Sequence, residues 1–84
     1  MEELLKLEKD ILYINLPQGR TQKELIKELR KEVKKIEFDG LDLKINGRIT
    51  TGMSLFLGHY LAHLCKSVSI YDPKEKAYIK VISH

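Results

Sequence analysis

Apolar and polar residues alternate at the start of this chain. Leu5 and Leu7 are separated by charges, and Leu12, Ile14 and Leu16 alternate with Tyr13 and Asn15. A period of two marks half-buried strands, and the polar triplet Glu8-Lys9-Asp10 suits a hairpin loop between two of them. Pro17-Gln18-Gly19 stops the sheet. The period then changes: Leu25, Leu29, Val33 and Ile36 recur at helical spacing. Thr21 and Glu24 have the spacing of a capping box, which places the helix start at Thr21. Leu41, Leu43 and Ile45 alternate with Asp42 and Lys44, a third strand broken by Asn46-Gly47. A second helix is predicted from Thr51 to Cys65, with Met53, Leu57, Leu61 and Leu64 facing the sheet. Val68 to Tyr71 and Tyr78 to Ile82 read as the last two strands, joined by a turn at Asp72-Pro73-Lys74-Glu75-Lys76.

The order is ββαβαββ, which makes residues 1–84 an α/β single domain with a mixed sheet and two helices. The third strand, second helix and fourth strand should form a right-handed parallel βαβ unit. In such units ligands collect beyond the carboxyl ends of the strands, at the helix amino terminus.

Each helix has a second face to account for. On the first, Lys23, Lys27, Arg30 and Lys34 interleave with Glu24, Glu28 and Glu32. The expectation is a solvated, salt-bridged face, with a nucleic-acid groove as the alternative. On the second, Leu55, Phe56, Gly58 and Ala62 leave little polar surface, so a second cover is expected, supplied by another copy of the chain. The 84-residue length supports that expectation, because a domain of this size buries a smaller share of its surface than a larger domain does and is marginal alone.

Composition adds limits. The net charge of +3 permits a polyanionic partner but is not the dense basic stripe of a DNA-duplex binder. No apolar run reaches membrane-spanning length, and Met1-Glu2-Glu3 does not resemble a secretory signal. The single cysteine excludes an internal disulfide framework and points to a cytoplasmic protein. Cys65 itself reads as a small packing residue.

The candidate chemistry lies in the second half. Gly47, Arg48, Thr50, Thr51 and Gly52 stand at the predicted strand-to-helix turn. Free helix amides favour an anion there, Arg48 can grip a phosphate in bidentate fashion, and a threonine can cap the helix. The stretch matches no nucleotide-binding fingerprint, and an ordinary capped turn is the plainer reading. His59 and His63 share a helix face, the spacing of a metal-chelating pair or of two interface histidines. Asp72 is either the cap of its turn or a carboxylate for a divalent ion. His84 is the last residue. The four tyrosines can stack on bases or simply pack.

Taken in order, Ile45-Asn46-Gly47-Arg48, Phe56-Leu57-Gly58-His59, His63, Tyr71-Asp72-Pro73 and Ser83-His84 resemble the small CRISPR-associated ring nucleases of type III systems, the Csx/Crn type. The chain departs from that pattern in several places: Thr50-Thr51-Gly52 replaces a Pro-Ile-Trp-like segment, Lys74 stands where an arginine is common, and the His59–His63 and Asp72–His84 spacings are each one residue longer. The resemblance implies a Rossmann-like, CARF-related fold and a homodimer or higher homo-oligomer. It implies binding of cyclic tetra-adenylate, or short RNA, gripped between protein dimers, and its manganese-dependent cleavage to switch off antiviral signalling. On the matching positions, Gly47, Arg48, Thr50, Thr51 and Lys74 would bind the ligand. His63, Asp72 and His59 would be catalytic, and His63, Asp72 and His84 would hold the metal. The alternatives are a module that sequesters cyclic oligoadenylate uncut and a manganese-dependent exonuclease on RNA adenylate tails.

Overall fold

A computed structural model describes residues 3–83. The elements are β1 (Leu5–Glu8), β2 (Ile11–Ile14), α1 (Gln22–Val33), β3 (Asp42–Gly47), α2 (Thr51–Ala62), β4 (Ser67–Asp72) and β5 (Ala77–Ser83). They form a small α/β domain in which one five-stranded mixed sheet runs β1-β2-β3-β4-β5. The inner strands β2, β3 and β4 are parallel, and the outer pairs β1–β2 and β4–β5 are antiparallel.

Strand order increases without reversal, so both crossovers step the same way across the sheet. With right-handed connections this puts both helices on one face. Burial agrees. Leu5, Leu12, Ile14, Leu43, Ile45 and Val68 from the strands pack with Leu25, Leu29, Val33, Met53, Leu57 and Leu61 from the helices in a single core. The domain therefore has two layers rather than the three of a doubly wound sheet. It has no point of strand-order reversal to open a ligand crevice. Among the described residues, no helix is long and apolar enough to cross a membrane.

The local signals act as expected at the helix starts. The Thr21 hydroxyl accepts the Glu24 N–H at 3.2 Å while the Glu24 carboxylate accepts the Thr21 N–H at 3.0 Å, so two orphan donors are satisfied. These bonds hold the exposed Glu24 carboxyl below the usual carboxylate range. At the other ends the helices are shorter than their apolar spacing suggests. α1 ends at Val33, before Ile36, and α2 ends at Ala62 with His63 as its cap. Cys65 lies in the connection and is buried, its thiol 3.6 Å from the Phe38 carbonyl, and burial raises its pKa. That is a packing role.

Two expectations for α1 are corrected. Glu32 is buried, its carboxylate accepting the backbone N–H groups of Leu4 and Leu5 at 2.9 and 2.8 Å. The remaining charges do not form a salt-bridged face. Arg20–Glu24 at 3.9 Å is the one ion pair involving the helix among the described residues. The reason is spacing: Lys23, Lys27 and Lys31 follow one another at i+4, as do Arg30 and Lys34, and Glu24 and Glu28. Like charges one turn apart repel, at about 0.2–0.5 kcal/mol per pair. Arg30 rests instead over the Phe56 ring, 5.1 Å from its centroid. Lys27→Glu should therefore raise the melting temperature by a few degrees, since it turns the repulsions with Lys23, Arg30 and Lys31 into attractions and adds one repulsion, with Glu24. A melt at low salt that shows no rise would argue against this account of the stripe.

Candidate functional site

The parallel strands end together at Ile14, Gly47 and Asp72, and both helices begin at that end. Gly47 has φ +120, and a Cβ there would sit 2.4 Å from the Ile14 carbonyl oxygen. Only glycine fits, because the backbone of β2 passes directly beside it. The chain then turns outward, leaving Arg48 exposed. Thr50 caps α2 by accepting the Met53 N–H at 3.2 Å. The same hydroxyl donates to Gln22 Oε1 at 2.6 Å and so ties the starts of α1 and α2 together. Thr51 is exposed as the first residue of α2. Sequence reasoning missed Gln22, since nothing local relates it to a threonine so distant in the chain.

Asp72 ends β4 half-buried, and its Oδ1 accepts the Lys74 N–H at 2.9 Å. It thus caps its turn, with Oδ2 left for another partner. Lys74 is exposed beside it. Gly47, Arg48, Thr50, Thr51, Asp72 and Lys74 accordingly gather at one pole of the domain. Two helix amino termini add their partial positive charge there.

The histidines lie elsewhere. His59 and His63 are exposed on α2, with ring centroids 5.0 Å apart and planes at 78°. α2 runs away from the pole, so His63 stands about 18 Å along the helix axis from Thr51 at 1.5 Å per residue. The opposite end of β4 confirms the separation. Ser67, shortly after His63, pairs with Ser83, while Asp72 pairs with Ala77 at the far end. The strand between them is roughly 17 Å long. A single chain does not bring His63 and Asp72 together. His84 lies outside the described residues.

This geometry bears on the metal that the resemblance implies. Among the described residues no group of three or more His, Cys, Asp or Glu side chains converges to hold an ion. His59 and His63 offer two imidazoles, whereas manganese favours oxygen ligands, and Asp72 is at the other pole. Among the described residues, His63 and Asp72 of one chain do not converge on a shared ion, and no step is assigned to one.

α2 also presents Leu55, which is 73% exposed, and Gly58, beside which a Cβ would meet nothing. Among the described residues nothing covers this outer face at Leu55 and Gly58. No family model, curated protein or solved structure matches this chain.

Proposed function

We propose that the protein binds cyclic tetra-adenylate and opens the ring, at a site completed by two copies of the chain. The observation that carries this reading is the pole itself. Arg48 and Lys74 are exposed beside two helix amino termini, and no acid among the described residues forms an ion pair with either cation. Such a pole attracts a phosphodiester. The His59–His63 pair at the opposite end supplies two exposed imidazoles, with ring centroids 5.0 Å apart. If the pole of one copy meets the imidazole face of another, both sets line one space. A ring of four repeating nucleotides suits such a symmetric arrangement.

The ring-opening step we assign uses the ligand's own hydroxyl. The ribose 2′-oxygen attacks the adjacent phosphorus as His63 takes its proton. The bond from phosphorus to the 5′-oxygen breaks, and the leaving oxygen receives a proton from the second imidazole, His59. The products are a 2′,3′-cyclic phosphate and a 5′-hydroxyl. Arg48 and the helix amides stabilise the charge that builds on the phosphoryl oxygens. Asp72 orients the groups at the pole.

The test is cleavage of labelled cyclic tetra-adenylate, and separately of an adenylate-tailed RNA, with manganese or with chelator. His63→Ala should lose at least about 100-fold in cleavage, on the order of a removed acid–base group, and Asp72→Ala should lose cleavage through disordering of the pole, both variants retaining ligand. Mixing the two variants should restore part of the activity, because a site shared between copies regains one intact His63 and one intact Asp72. Full activity in either variant, or no recovery in the mixture, would remove the shared-site assignment. Tight binding without cleavage in the native protein would identify a sequestering module, and tail trimming alone an exonuclease.

A further inference from the structure

Among the described residues no element covers the sheet face turned away from the helices, and this face carries an ordered row of side chains. Tyr13 on β2 is in register with Asn46 on β3, and Tyr71 on β4 with Tyr78 on β5. Ile45 is in register with Ile70, so the next step sets Asn46 beside Tyr71. The four residues thus stand at one level across four strands. They point away from the core by the same alternation that buries Leu12, Ile14, Leu43 and Ile45.

The row is built rather than incidental. Asn46 Nδ2 donates to the Tyr78 hydroxyl at 2.9 Å. The Tyr71 and Tyr78 rings meet edge to face, with centroids 5.2 Å apart. Tyr13 and Tyr71 nevertheless remain 38% and 37% exposed, so part of each aromatic surface is available. The bond to Tyr78 fixes the Asn46 amide and leaves its Oδ1 acceptor and second N–H uncommitted. That donor–acceptor pair is the complement of the adenine edge. The row also abuts the pole, since Asn46 precedes Gly47-Arg48 and Tyr71 precedes Asp72, two residues before Lys74. A strand whose phosphates rest on Arg48 and Lys74 has its bases beside the tyrosines. Lys44, on the same face, is not counted among the phosphate contacts, because Asp10 already holds it in an ion pair.

We propose that this row is a base-reading surface for single-stranded adenylate RNA. Bases stack on Tyr13 and Tyr71, and Asn46, held by Tyr78, recognises adenine. The inference rests on the proposed function for its phosphate grip and adds what selects the base. Continuity with a cationic pole favours a nucleic acid over a second copy of the chain as the occupant.

The experiment measures binding of fluorescent linear hexa-adenylate and hexa-uridylate to the native chain and its variants, with melting curves and sedimentation of each. Tyr13→Ala and Tyr71→Ala should weaken adenylate binding about tenfold each, the usual size of a lost stacking contact. Asn46→Ala should reduce the preference for adenylate over uridylate, and Tyr78→Phe, which keeps the ring, should reduce it partly. Arg48→Ala should weaken both oligomers alike. Wild-type affinity in both Tyr13→Ala and Asn46→Ala would overturn the inference. So would a native protein that binds neither oligomer, or variants whose main effect is a change in self-association. Cyclic tetra-adenylate opening is scored separately. Unchanged adenylate binding in the row variants with opening intact removes the row alone, whereas adenylate binding through the row without opening removes only the ring-opening reading.

Discussion

Glu32→Ala is expected to remove about 3–5 kcal/mol of stability, the largest loss from any single charged residue here. The native carboxylate receives two adjacent backbone donors, the N–H groups of Leu4 and Leu5, one on each oxygen. Both leucines are core residues, at 2% and 3% exposure, so their N–H groups have little access to water in place of the lost acceptor. An unsatisfied buried donor costs about 1–3 kcal/mol, and two such costs are a large share of the roughly 5–10 kcal/mol that a domain of this size has in total. The loss should be seen as a lower urea midpoint. Glu32→Gln should fall between the native chain and the alanine variant, because its amide keeps one acceptor and turns a donor toward the second N–H. A Glu32→Ala midpoint within experimental error of the native one would show that β1 does not depend on this anchor.

Gly47→Ala should be nearly as costly and should also abolish ligand binding. The added Cβ would lie 2.4 Å from the Ile14 carbonyl oxygen and 3.1 Å from the Ile14 nitrogen, both backbone atoms of the neighbouring strand. Neither yields as a side chain would, so the end of the β2–β3 pairing must open. The positive φ adds a strain of about 1–3 kcal/mol for a residue with a side chain. We expect at least about 3 kcal/mol in total, together with loss of oligoadenylate binding, because the disturbed segment leads directly into Arg48. Arg48→Ala separates the two effects: it should lose binding at unchanged stability, since Arg48 is exposed. A Gly47→Ala protein with native melting temperature and affinity would mean that the two strands tolerate separation at the pole.

The elements were legible because each carries a local signal. Alternation placed the five strands, and the Thr21–Glu24 pair marked the start of α1. Partners distant in the chain leave no such local signal. Glu32 looks like one more member of a charged run, since its partners Leu4 and Leu5 are far away in the chain. Helical spacing continued past the real ends of both helices, to Ile36 and Cys65, because apolar side chains in the following connections also reach the core. The residues of the pole were nominated from their position after strands, and there the structure gathers them. The histidine pair was nominated from its spacing alone, which says nothing about which end of the domain it occupies.

Periodicity, capping residues and turn chemistry were enough to define seven elements, their order and the α/β class, because those signals act over a few residues. Whether two segments meet depends instead on crossover direction, strand register and the length of each element, which are properties of the assembled sheet. These decided that both helices share one face, that the tyrosine row stays open, and that His63 and Asp72 stand at opposite ends of one protomer.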